Sequence, residues 1–176
     1  MLAFSLLILA TTTFAAASIL WFTFSLGISP VPSSIKVRRK VLAMAEAINE
    51  IDIADLGSGW GSLVIPLARR HPEFRVTGYE ASWVPWLFSL TVKRLLRLEN
   101  LTLERSNFLD ADLSDHRVFL CYLFPGGMKS LDLKLKRDNL NGVHVISHTF
   151  ALPGHLPDLT VRIKDLYRTP LYHYRV

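Results

Sequence analysis

A chain of 176 residues, half of them apolar, has room for one domain with a buried core and one further element. Its single cysteine, Cys121, excludes an internal disulfide and sits in an apolar stretch that suits a small buried hydrophobe. The 20 lysines and arginines against 15 acids give a formal charge of +5, but part of the excess is one cluster, Lys36, Arg38, Arg39 and Lys40, so the charge requires no nucleic-acid partner.

The further element comes first. From Met1 to Ser34 no residue carries a charge and none is histidine, and Leu2 to Ile28 is predominantly apolar, longer than the roughly 20 residues that span a bilayer as a helix. A cleaved signal peptide competes, with Ala15, Ala16 and Ala17 as small residues for a peptidase. No cation precedes the run, however, and it continues through Ile19, Leu20, Trp21, Phe22 and Phe24, so an uncleaved single-pass anchor over 1–29 is expected. The basic cluster then arrives on the C-terminal side. By the positive-inside tendency the domain that follows faces the cytoplasm, or an organelle's matrix, beside anionic headgroups.

PVPSS (30–34) ends that run and opens a linker over 30–35, leaving 36–176 as the domain. Ile35, Val37, Val41, Leu42, Met44, Ala45 and Ile48 recur at helical spacing, which predicts an amphipathic helix ending near Asn49. Beyond it, β-rich and helical runs alternate, with strands expected at 51–56, 74–80, 101–106, 117–123 and 143–150 and helices at about 61–70, 82–97 and 126–139. The connection 109–116 is too short for more than a turn of helix. LTVRIKDLY (159–167) and PLYHYRV (170–176) read as two strands joined by a tight turn around Arg168 and Thr169. The pattern is that of an α/β fold, a parallel sheet covered by crossover helices and closed by an antiparallel hairpin.

The first strand runs into DLGSGWG (55–61). Gly57, Gly59 and Gly61 let the backbone approach a ligand with no Cβ in the way, and Ser58 and Trp60 lie between them. The third glycine falls one residue early for the G-x-G-x-x-G of dinucleotide sites, which disfavours a nicotinamide oxidoreductase. Asp55, at the strand end, can accept from a cationic amine or order water. Glu80, in VTGYEAS at the end of the second strand and 19 residues after Gly61, is placed to accept both hydroxyls of a ribose. After the third strand, Asn107 can pair with an adenine edge while Phe108 packs on its face.

The ordered set resembles the class I S-adenosylmethionine-dependent methyltransferases. More narrowly it resembles the small membrane-associated protein-lysine methyltransferases of mitochondria and their archaeal relatives. The resemblance is carried by PVPSS, DLGSGWG, GYEAS, Asn107-Phe108, YLFPGGMKSL (122–131) and VISHTFALPG (145–154), and it covers nearly everything after residue 30. It implies a Rossmann-like sheet of seven strands with the last antiparallel, S-adenosylmethionine as cofactor, and cofactor contacts from Asp55, Gly57, Ser58, Gly59, Trp60, Gly61, Glu80, Asn107 and Phe108. The chain departs from the family at Trp60, where an acidic or small polar residue is more usual, and at Leu123-Phe124-Pro125, where many amino methyltransferases carry an acidic or amide residue before Pro-Pro-aromatic.

Trp60 either packs between its helix and the sheet or borders the sulfonium as a cation–π partner. Tyr122 and Phe124, at the mouth of the fourth strand, are either core aromatics or the acceptor pocket. His148 is either a hydrogen-bonded structural residue or a proton acceptor near the acceptor nitrogen. His116, His144, His155 and His173 lack metal-ligand spacing, so no metal is expected. Asp110 and Asp112 read as turn caps rather than paired carboxylates, and Lys129, Lys134, Lys136 and Arg137 as a solvated helix face or one set against a membrane surface. The acceptor is expected to be a lysine of a protein at the membrane. A lipid or small hydrophobic acceptor, or a non-catalytic membrane module that keeps the fold, stand as alternatives.

Overall fold

The computed structural model describes residues 35–176 together with positions 4, 5, 9, 12 and 13. Apart from those five positions, the expected anchor over 1–29 lies outside the described residues, as does nearly all of the linker; among the described residues, no helix is long and apolar enough to cross a membrane.

The described chain opens with helix α1 (Ile35–Glu46), followed by β1 (Asp52–Leu56), α2 (Val64–Arg70), β2 (Arg75–Tyr79), α3 (Trp83–Leu96) and β3 (Leu101–Glu104). Then come β4 (Val118–Cys121), α4 (Pro125–Arg137), β5 (His144–His148), β6 (Leu159–Arg162) and β7 (Pro170–Arg175). The strands form one seven-stranded sheet in the order β3-β2-β1-β4-β5-β7-β6. β1 to β5 are parallel, β7 runs antiparallel to β5, and β6 antiparallel to β7. The chain order steps outward from β1 to β3 and then returns to the other side with β4. This leaves a switch point at the C-terminal ends of β1 and β4, where ligands bind in open α/β sheets.

Strand alternation divides the core in two. Ile53, Val76, Val118 and Leu120 face Val37, Val41 and Leu42 of α1 and Val64 and Leu67 of α2. Ala54, Leu56, Phe119, Cys121 and Val145 face Met128, Leu131 and Leu135 of α4. Neighbours along β1 and β4 thus serve opposite faces, and both strands are buried throughout except Asp52, as expected for the middle of a covered sheet.

Every strand after the first ends sooner than expected. β3 stops at Glu104 because Arg105 turns out to lie over the Trp83 ring, 3.9 Å from its centroid. β5 stops at His148 because Thr149 takes φ 71°. β6 ends at Arg162, and a seven-residue connection replaces the tight turn expected around Arg168 and Thr169. Asp165 holds that connection, accepting from the Thr169 N–H (2.8 Å) and hydroxyl (2.6 Å). Helix α2 begins at Val64, three residues later than expected, because the glycine turn continues to Leu63.

Candidate cofactor and acceptor site

The glycine turn leaves β1 and is tied at once to β2, the N–H groups of Gly57 and Ser58 both donating to the Tyr79 carbonyl (3.0 and 2.8 Å). All three glycines take positive φ, 87° at Gly57, 54° at Gly59 and 74° at Gly61, a region that costs other residues roughly 1–2 kcal/mol. Their surroundings differ. A Cβ on Gly59 would meet nothing within 4 Å, which is the open approach a ligand needs, whereas one on Gly61 would press on Ile65 and come within 3.1 Å of Ser89 Cβ. The third glycine therefore serves the close packing of α3 on the turn. Ser58 also looks inward: a Cβ on Gly78 would fall 2.8 Å from its hydroxyl, so what Ser58 offers a ligand is backbone.

Two carboxylates meet beneath this turn. Glu80 is buried; its Oε2 accepts from the Gly59 N–H (2.9 Å) and its Oε1 from the Ser82 N–H (2.7 Å). One side chain thereby fixes the tip of the glycine turn and the start of α3, while each oxygen keeps a lone pair for a ribose hydroxyl. Asp55 is buried as well, and its carboxyl is pushed up to about 7, first by desolvation and then by the nearby charge of Glu80. Both influences oppose ionisation, so the site is short of a positive charge.

Trp60 packs against α3, a neighbour that neither expectation named. Its ring stands edge-on to Phe88 of α3 (centroids 5.3 Å apart, 76°), and with Arg38, Ser62 and Phe88 it lines an open cleft of about 420 Å³. Arg38 and Phe88 had no sequence signal, since one lies in a charge cluster and the other in an apolar helix.

At the β3 end, Asn107 Oδ1 accepts from the Leu109 N–H (3.1 Å), leaving its amide nitrogen for an adenine edge. Phe108 is buried in the core with Tyr79 and Leu113, so it packs below the loop and braces it. The sequence also misplaces Lys134, which is only 3% exposed and not part of a solvated face. Its ammonium donates to the carbonyls of Leu109 (3.2 Å) and Ala111 (2.7 Å) and pairs with Asp138 (2.7 Å). Asp132 of the same helix is buried too, accepting from Lys136 (2.7 Å) and His155 (2.8 Å). Asp112 caps its turn as expected, accepting from the Ser114 N–H (2.9 Å).

Lys134 thus clamps the Asn107 loop to α4. Lys134→Met keeps the bulk and strands two carbonyls, each lost bond to a charged group being worth about 1.5–3 kcal/mol. We expect a clearly lower midpoint in thermal unfolding and an S-adenosylhomocysteine affinity about tenfold weaker by calorimetry.

The residues expected at the acceptor pocket lie beyond β4 and β5. Tyr122 stacks on His148 (centroids 4.3 Å, 13°) and lies nearly parallel to Phe150 (6.3 Å, 16°). The positive φ of Thr149 sets this up: it lets the Phe150 N–H donate back to the His148 carbonyl (2.9 Å), and the Ser147 hydroxyl holds the Phe150 carbonyl (2.9 Å). Phe150 completes the ring set although nothing in the sequence singled it out. Burial pushes the His148 imidazole down to about 4, so it is neutral near pH 7 and a poor proton acceptor. That weighs for the structural role among its two expected ones. Phe124 folds over the first turn of α4, where Gly126 and Gly127 leave room; a Cβ on Gly126 would lie 2.5 Å from its ring.

These residues fit S-adenosylmethionine: Asp55 lacks the cation that an ammonium or sulfonium brings, Glu80 is ready for ribose, and Gly59 leaves the approach open. The comparisons agree. Residues 55–159 match the ANTKMT methyltransferase domain family. A protein-lysine N-methyltransferase of Saccharolobus islandicus (strain REY15A) is 25% identical over 136 residues, 77% of this chain and 84% of its own. An RNA methyltransferase from Salinibacter ruber, solved with S-adenosyl-L-homocysteine, superposes with a TM-score of 0.73 at 28% identity, covering 83% of this chain and 94% of that one. A precorrin-6y C5,15-methyltransferase from Geobacter metallireducens shares the fold (TM-score 0.64, 13% identity, 83% of this chain and 90% of that one). The chain belongs to the ANTKMT methyltransferase family and is a class I methyltransferase that uses S-adenosylmethionine.

Proposed function

We propose that the protein N-methylates a lysine of a protein held at a membrane. The observation that carries the acceptor reading is the parallel set of Tyr122, His148 and Phe150 at the ends of β4 and β5. When bound, S-adenosylmethionine supplies an electrophilic methyl and a sulfide leaving group. The protein's part is to strip water from the incoming amine and align it. An aromatic wall disfavours the ammonium form. The amine sheds its proton to solvent as it enters, because His148 is poorly suited to take it. The name of the Saccharolobus relative supports a lysine acceptor.

The membrane part rests on the uncharged run before Ile35 and on where the chain enters the domain. Lys36, in the first turn of α1, donates to the Lys164 carbonyl (3.3 Å) in the β6–β7 connection. That connection lies at the C-terminal edge of the parallel strands, because Pro170 starts β7 beside the end of β5. The expected anchor thus joins the domain on the edge that carries the site, its basic cluster alongside, with the domain on the cytoplasmic or matrix side. The full chain incubated with membranes and methyl-tritiated S-adenosylmethionine should label protein, with methyl-lysine recovered on hydrolysis. Label in RNA would favour the activity named for the Salinibacter relative. Label in an organic extract would favour a lipid acceptor, and cofactor binding without any transfer a non-catalytic module.

A further inference from the structure

Helix α3 is packed inside out. The residues it buries are Pro85 and Ser89, while Trp83, Leu87, Phe88 and Leu95 are 51%, 54%, 50% and 77% exposed. At 100° per residue, Trp83, Leu87, Thr91, Leu95 and Phe88 fall on one outward arc. The reason for the inversion is the close approach described above: Gly61 and Ser89 bring α3 against the glycine turn, where no larger side chain would fit. Trp86 packs inward, its indole N–H donating to the Leu103 carbonyl (3.1 Å), while Trp83, Leu87, Phe88 and Leu95 are left outside. An aromatic and aliphatic patch of this kind on an outer helix marks an interaction surface.

The charge around the patch identifies its partner. Residues 83–97 contain Lys93, Arg94 and Arg97 and no acid. Arg105 lies on the Trp83 ring, and Arg38 stands across the cleft from Phe88. Apolar side chains led by a tryptophan and bordered by cations are the composition that settles at the boundary of anionic headgroups and acyl chains. A basic border of this kind complements an anionic surface.

We infer that the outer face of α3 seats in the surface of an anionic bilayer and turns the cofactor edge of the sheet toward the membrane. The inference rests on the membrane part of the function proposed above and is independent of the acceptor's identity. Trp83 begins α3 three residues after Glu80, so the seated face starts beside the cofactor site. A substrate chain would then be met at headgroup level.

The test uses the full chain with an environment-sensitive fluorophore on Leu87→Cys, on Leu95→Cys, or on Lys129→Cys of α4 as control. Cys121 is buried and stays unlabelled. The chain is reconstituted in phosphatidylcholine vesicles with and without about one third phosphatidylglycerol, and with and without spin-labelled acyl chains. With the anionic lipid, the Leu87 and Leu95 labels should shift to the blue and lose about half of their emission to the spin label, while the Lys129 label loses little. Equal quenching without phosphatidylglycerol would overturn the anionic partner. Absence of quenching in a chain that floats with the vesicles would overturn the seating. Iodide then separates a face left in water from one covered by protein. A chain that fails to float overturns seating and anchor together, and S-adenosylhomocysteine titration of the same samples tests the methyltransferase site separately.

Discussion

Glu80→Ala will weaken S-adenosylhomocysteine binding by at least about 100-fold in calorimetric titration, the loss expected for two hydrogen bonds to a charged acceptor at about 1.5–3 kcal/mol each. The effect has two origins in one side chain. The carboxylate is the acceptor expected for the ribose, and it also holds the Gly59 and Ser82 N–H groups. Removing it frees the tip of the turn and the first turn of α3 together. Glu80→Gln separates them, since the amide retains one acceptor oxygen for the backbone and loses the charge. We expect it to unfold near the parent temperature and to bind between parent and alanine variant. NAD, which the glycine spacing disfavours, serves as the negative control. Equal affinity in parent and alanine variant would remove Glu80 from the cofactor site.

Asp55→Asn is expected to do something less common: abolish cofactor binding and make the empty protein more stable. In the folded state the carboxyl is raised from 3.8 to about 7, so the native protein holds a proton there that the unfolded chain has released. The native advantage from this group is therefore full below pH 4 and declines as pH rises from 4 to 7. Above pH 7 the buried charge is a standing cost. Asparagine removes that cost, and at about 1.4 kcal/mol per pK unit, less the desolvation of an amide, the gain at pH 8 is on the order of 2 kcal/mol. Unfolding by urea at pH 8 and at pH 5 checks it, with the variant's advantage confined to the higher pH. The linked expectation concerns the ligand. A cationic cofactor favours the ionised carboxylate, so binding by the parent releases a proton below pH 7, and affinity falls by up to about tenfold per pH unit there. Buffers of different ionisation enthalpy will expose that proton in the calorimeter.

The parts of the site that were legible in the sequence are those whose chemistry depends on position along the chain. Asp55, the three glycines and Glu80 stand at strand ends at a spacing that β1, α2 and β2 enforce, so strand periodicity placed them. The antiparallel pair was legible for the same reason, though its turn was not, because the Asp165–Thr169 bonds that shape 163–169 are a choice of side-chain rotamer. Lys134 was misread because a lysine in a helix with Lys129, Lys136 and Arg137 looks solvated until the loop after β3 is laid across it. Phe108 has the residue type of a stacking partner and the burial of a core residue; only the position of Leu113 and Tyr79 decides. Helix α3 was read correctly as a helix, while its orientation follows from Gly61 and Ser89, two small residues on different elements whose contact no local pattern records.

The place of β7 has a consequence for how the chain is made. β6 touches the sheet only through β7, which comes after it in the chain and lies between it and β5. In a chain that stops ahead of Pro170, the five parallel strands can assemble, but β6 has nothing to pair with and the outer edge of β5 is bare. A strand edge left open in this way is a template for the wrong chain. Leu171 and Tyr174, buried in the finished core, seal that edge only when β7 is in place. Arrest or truncation ahead of Pro170 would leave a species suited to chaperones and prone to aggregation, even though every residue singled out for the cofactor had already been synthesised.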